Sequence, residues 1–195
     1  MMLYKYRGIS DLKFLVDIFL NNRLYAAKYT DMNDPMEGVY RYKSDYVTRD
    51  LIEEIRIEKR NIGICSLSED SSNDLMWAHY AEGHKGVAIG VRIKGGNEIR
   101  NIKYEGLSKL TSTKYHDGYE SALNILTHKL EAWDYEQEVR VFTRGEDFVD
   151  VEVCEVILGC KMDKNDKVFF KNLISKINPD IRIKSKRHHL SAQSM

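Results

Sequence analysis

The sequence predicts a mixed α+β fold built from short strands and short amphipathic helices, and three observations carry that expectation. Short β-branched or aromatic runs, such as 62–67, 86–91 and 149–158, lie between polar or glycine-containing turns. Apolar residues recur at helical spacing in 12–20, 48–60 and 119–130. Only two prolines occur in 195 residues, which argues against long structureless linkers.

Each element has its own local warrant. Residues 3–7 alternate and are rich in tyrosine, so they read as a first strand. Ser10 or Asp11 can cap the helix that follows, and Asn21-Asn22 ends it. Residues 24–27 read as a short strand, and Asn33-Asp34-Pro35 as a turn. Residues 48–60 read as a charged surface helix with one apolar stripe. Residues 62–67 are a buried strand carrying Cys65. Asn73 or Ser72 caps a helix from 74 to about 82, with Gly83 as its stop. Along it Trp77, Tyr80, Ala81 and His84 share one face. Residues 86–91 are a buried strand, Gly95-Gly96-Asn97 a turn and 102–104 a short strand. A helix over 119–130 leads into the stretch Trp133-Asp134-Tyr135-Glu136-Gln137-Glu138-Val139-Arg140-Val141-Phe142. A strand over 149–158, a helix over 167–177 and a strand over 181–183 complete the plan. No repeat or boundary is evident, so 1–195 reads as a single domain, with 184–195, including His188-His189, as a frayed tail.

Lys+Arg and Asp+Glu are equal at 30 each, so no overall charge favours nucleic acid or membrane. Cys65, Cys154 and Cys160 form no C-x-x-C pair and read as free thiols of a reducing compartment. The N-terminal stretch has no apolar signal core, and no run approaches a membrane span. A cytoplasmic protein is expected.

The candidate chemistry centres on 133–142. Side chains alternate along a strand, so Val139 and Val141 share one face while Glu136, Glu138 and Arg140 share the other. That charged row is either the solvated face of an edge strand or the floor of a cleft in which Glu138 and Arg140 pair. Two other segments stand out: Tyr4-Lys5-Tyr6-Arg7, with cations and rings on one strand, and Met76-Trp77-Ala78-His79-Tyr80 with His84. His79 and His84 lie five apart, and no H-E-x-x-H occurs, so no metal site is expected. No phosphate loop, nucleophile elbow or dinucleotide fingerprint is present.

The joint occurrence of C-S-L-S-E, M-W-A-H-Y-A-E-G-H-K-G-V-A-I-G and W-D-Y-E-Q-E-V-R-V-F resembles a widespread bacterial family of unassigned activity, over residues 3 to about 161. Members share a similar L-Y-K-Y-R strand and an N-D-P turn. More distantly, the opening strand–helix–strand plan and Glu136-Gln137-Glu138-Val139 resemble ADP-ribosyltransferases and their E-x-E signature. That resemblance implies a split, mainly antiparallel sheet with flanking helices, and NAD as substrate. It implies that Glu138 is catalytic, with Glu136 orienting or deprotonating the acceptor. It places Lys5 or Arg7 on the diphosphate and Tyr80 or Trp77 against nicotinamide, with Arg140 also among the expected cofactor-binding residues. The middle S-T-S signature and the first-strand His of that family's branches are absent here. Bacterial members resemble toxins of toxin–antitoxin or phage-defence systems, which implies an acceptor protein or nucleic acid and an antitoxin partner. Two alternatives stay open on pattern: a metal-dependent nuclease using Asp134, Glu136 and Glu138, and a non-catalytic binding module anchored by Trp77 and Tyr80.

Overall fold

The computed structural model describes residues 1–10, 12–45, 47–111 and 117–187. Its strands are β1 (Leu3–Arg7), β2 (Arg23–Tyr25), β3 (Tyr40–Tyr42), β4 (Ile62–Ser68), β5 (Val87–Ile93), β6 (Glu98–Asn101), β7 (Ser108–Leu110), β8 (Glu138–Arg144), β9 (Phe148–Leu158) and β10 (Arg182–Ser185). Its α-helices are α1 (Leu12–Asn21), α2 (Arg49–Asn61), α3 (Asp74–Tyr80), α4 (Gly118–Ile125) and α5 (Lys164–Ile177). Single 3-10 segments cover Tyr29–Asp31 and Glu131–Glu136. The expected mixed α and β architecture with mostly antiparallel pairing is what the chain adopts. Among the described residues no helix is long and apolar enough to cross a membrane.

The chain forms two compact units. The first comprises Met1–Arg23, Leu67–Lys94 and Asp150–Met195; the second comprises Leu24–Ser66 and Gly95–Val149. In the first, strands run in the order β10-β9-β5-β1. β5 is antiparallel to both neighbours, and β10 is parallel to β9. α1 packs with α5, and α3 against β1. Glycine is required where backbones meet. A side chain on Gly86 would overlap the carbonyl of Arg7, and one on Gly159 that of His84.

In the second unit β8 lies between β4 and β6, and β3 pairs in parallel with β7. Ile62, Ile64, Ala122, Leu123, Leu126 and Phe142 form one buried cluster. Val47, Ile55, Leu110 and Ile125 form another, where α2 packs on α4. The side chains of Thr48, Asn73, Asp117 and Asp163 accept backbone N–H bonds at the starts of α2, α3, α4 and α5.

Several expectations need correction. α3 ends at Tyr80, because Glu82, Gly83 and His84 all take positive φ and turn the chain. His84 is therefore off the helix, yet its ring still stacks on Trp77 at 6.4 Å. α4 stops at Ile125 rather than at 130. Residues 102–104 do not form a strand; Lys103 makes only an isolated bridge to His128. β3, β6 and β7 were not expected. β10 continues through Ser185, past the start of the expected tail. Asp11 and His188-His189 lie outside the described residues.

Trp77 is 0% exposed. Its indole N–H donates to the Ser71 carbonyl at 2.9 Å, and Tyr6 meets it edge-on at 5.4 Å. Trp77→Ala should therefore cost about 3–5 kcal/mol of stability, measured by chemical denaturation. A loss below about 1 kcal/mol would show that the indole is not a core group.

Candidate functional site

The charged row of β8 is neither a solvated edge nor an open floor. β8 is paired on both sides, and both its faces are buried. Alternation holds: Val139 and Val141 lie on one face, and Glu138 and Arg140 on the other. What differs is the cover on the charged face. Glu138 is 5% exposed and Arg140 is 0% exposed.

Arg140 uses all five of its N–H donors. Nη1 and Nη2 each donate to one oxygen of Glu37 at 2.7 Å. Nε donates to Glu138 Oε1 at 2.7 Å, and Nη2 also to Oε2 at 3.3 Å. The remaining donor reaches the Leu126 carbonyl at 2.5 Å. The fork of the guanidinium suits two carboxylates held this way, which an ammonium cannot match.

Each partner is set by a local device. Glu37 closes the Asn33-Asp34-Pro35 turn, where Asp34 Oδ1 accepts the Met36 N–H at 2.9 Å and its carbonyl accepts that of Glu37 at 3.0 Å. Lys129 follows the early end of α4. Its backbone N–H donates to Lys103 at 3.1 Å, and its carbonyl accepts from Gly106 at 3.0 Å. The Lys129 ammonium then bonds Glu136 Oε2, and Glu138 Oε2 at 3.1 Å, while lying 4.9 Å from the Trp133 ring centre. Glu136 ends a 3-10 turn, and Gln137 takes φ 44°. A left-handed non-glycine residue costs about 1–2 kcal/mol. Here it breaks the strand alternation, so Glu136 is not the strand residue that the pattern suggested. Glu138 also donates its backbone N–H to the Tyr104 hydroxyl at 2.7 Å.

The electrostatics follow. Burial alone would raise the Glu138 carboxyl, but the charges of Arg140 and Lys129, with hydrogen bonds from Arg140 and Ser66, hold it down at about 2. Burial opposes the charge on Arg140 and Lys129 too; Glu138 with Glu37, and Glu138 with Glu136, outweigh it and push both upward. At neutral pH Glu138, Arg140 and Lys129 are therefore all charged. Glu138 carries no proton to give, and Lys129 is no neutral amine.

The residues singled out in the sequence divide between the two units. Glu136, Glu138 and Arg140 meet in the second. Lys5, Arg7, Trp77 and Tyr80 belong to the first. Lys5 and Arg7 sit half-buried on β1, and Tyr80 is half-buried at the end of α3. Trp77 has no exposed face to offer nicotinamide or a partner protein. Glu37, Tyr104, Lys129 and Trp133 were missed as site residues. The N-D-P turn is the one sequence signal that could have pointed to Glu37. Among the described residues no three His, Cys, Asp or Glu side chains are grouped to hold a metal ion. Glu136 and Glu138, which a nuclease would offer to its metal, are instead bound to Lys129. Compared with protein-family models, curated proteins and solved structures, the chain finds no match.

The Glu138 pKa fixes an acid response. The folded value lies below the ordinary 4.5, so between about 4.5 and about 2 the unfolded chain binds the extra proton. The stability that Glu138 contributes is full above the ordinary value and is lost as pH falls through the folded one. Over that window it should contribute a slope of up to about 1.4 kcal/mol per pH unit. Glu138→Gln, which leaves two buried cations short of one anion, should cost about 3–5 kcal/mol at neutral pH and remove that slope. Urea titrations from neutral to acid pH would test this; equal acid slopes in both proteins would contradict it.

Proposed function

We propose that this chain is an ADP-ribosyltransferase-like enzyme, with a split-sheet fold of that kind, that breaks the nicotinamide bond of NAD with Glu138 as its catalytic carboxylate. The observation that carries the reading is the way Glu138 is held. It opens β8 as the second glutamate of E-Q-E, ionised, with Arg140 fixed behind it by Glu37. A buried charge network of this density is a weak source of stability, and strongly shifted carboxylates concentrate at sites of chemistry.

The transition state for loss of nicotinamide has oxocarbenium character, and an oriented carboxylate stabilises it. Arg140 is the rigid partner and Lys129 the flexible one. For the carboxylate to meet a ribose, Lys129 releases Oε2 while Arg140 keeps Oε1 in place. Glu136, freed by the same movement, orients the acceptor. The resemblance to bacterial toxins extends the proposal to an acceptor protein or nucleic acid and to a neutralising antitoxin.

A second reading has one observation in its favour. Both oxygens of Glu138 are already bonded and the side chain is closed to solvent. This suits a non-catalytic module in which the network serves only as scaffold.

Incubation with NAD separates the two. The wild-type protein should release nicotinamide, and Glu138→Gln, assayed at a temperature where it remains folded, should lose roughly 100-fold or more of that rate. A folded wild-type protein that neither binds nor cleaves NAD would favour the scaffold reading, and an undiminished Gln variant would remove Glu138 from the chemistry.

A further inference from the structure

Lys129 is held as a ligand would be. Its ammonium bonds two carboxylates, Glu136 and Glu138, and lies against the face of Trp133. Paired anions with an aromatic wall are the elements that recognise organic cations. Trp133 is half-buried, so the wall reaches solvent, and Tyr135 is tilted beside it with ring centres 6.2 Å apart. The cation itself is carried on a flexible four-carbon stem. Arg140 differs: all its donors are used, and among the described residues no aromatic ring lies against it as Trp133 does against Lys129.

We propose that Glu136, Glu138 and Trp133 form a binding site for a primary alkylammonium, and that Lys129 is its tethered occupant in the free protein. Two carboxylates accept from the donors of an ammonium, and the indole face attracts its charge through the ring quadrupole. An incoming alkylammonium, free as a diamine or presented as a lysine side chain, takes the place of the Lys129 head when that side chain swings outward. The exchange conserves charge, so neither carboxylate is left buried without a cation. The inference uses the same carboxylates as the proposed activity but does not require it.

The test begins with Lys129→Ala, which lacks a fragment equivalent to n-propylammonium. Adding n-propylammonium should raise the thermal midpoint saturably, while sodium at equal ionic strength should not. The added substitution Trp133→Leu should weaken the response by roughly tenfold. If Lys129→Ala does not fold alone, the same amine should restore cooperative unfolding. A flat response, or no restoration, overturns the site.

The wild-type protein then distinguishes a ligand site from a structural ion pair. Titration with a diaminobutane and with an acetyl-lysine amide should shift the Trp133 indole N–H signal in NMR. The affinity should be about tenfold below that of Lys129→Ala, because the tethered lysine competes. The better of the two probes identifies the source of the alkylammonium. An indole signal unmoved by either, at about a hundred times the variant's dissociation constant, overturns the proposal and leaves Lys129 a structural partner. None of these readouts involves NAD, so failure here and failure of the proposed reaction are separately visible.

Discussion

The constraint on which the second unit depends is the burial of one guanidinium. Removing Arg140 from water is costly, and the cost is offset only if every donor is met and its charge is balanced. Both conditions are satisfied by parts of the chain far apart in sequence. Glu37 comes from a turn, the Leu126 carbonyl from the end of α4, and Glu138 from the same strand as Arg140. The turn, the helix end and the strand are thereby fixed relative to one another. Lys129 joins the same unit through Glu136 and Glu138. Burial pushes the Lys59 ammonium below its ordinary value, with Glu37 opposing that only in part, and the ammonium donates to the Gly38 carbonyl at 2.7 Å.

Much of the fold is legible in the sequence where local rules govern. β1 and α1 follow from alternation and from a 3.6-residue apolar period, and α2 from its apolar stripe; α5 is expected over 167–177 and begins a turn earlier, at Lys164, where Asp163 caps it. The edge elements β3, β6 and β7 are not legible. They are short and defined by partners rather than by their own pattern, β3 and β6 being largely exposed. The apolar spacing of Leu126 and Leu130 continues the helical period, so α4 appears longer than it is. The bond from Thr127 Oγ1 to the Asn124 carbonyl at 2.8 Å, and the bridge to Lys103, end it early.

The site was half legible. The alternation of 138–141 correctly separates valines from charges and pairs Glu138 with Arg140. It does not reveal whether a charged face meets water or other charges, because that depends on what covers it. Glu37 is 103 residues from Arg140, and no local pattern encodes such a contact. Lys129 lay inside an expected helix. The aromatic and basic residues of β1 and α3 stood out in sequence, yet Trp77 is core in the first unit. What the structure adds is the pair of carboxylates, Glu136 and Glu138, both bonded to Lys129, with Arg140 also on Glu138. That pairing gives the proposed chemistry and the proposed ligand site a common physical basis.

The central claim is that Arg140 is locked by Glu37 and Glu138 rather than merely near them. NMR of the arginine guanidinium groups at neutral pH tests it most directly. A guanidinium with every donor engaged cannot rotate freely about its Cζ–Nη bonds, so separate, slowly exchanging Nη–H signals are predicted for Arg140, assigned by their loss in Arg140→Lys. Glu37→Gln should shift them. A single averaged signal that exchanges with water as fast as those of surface arginines would contradict the account.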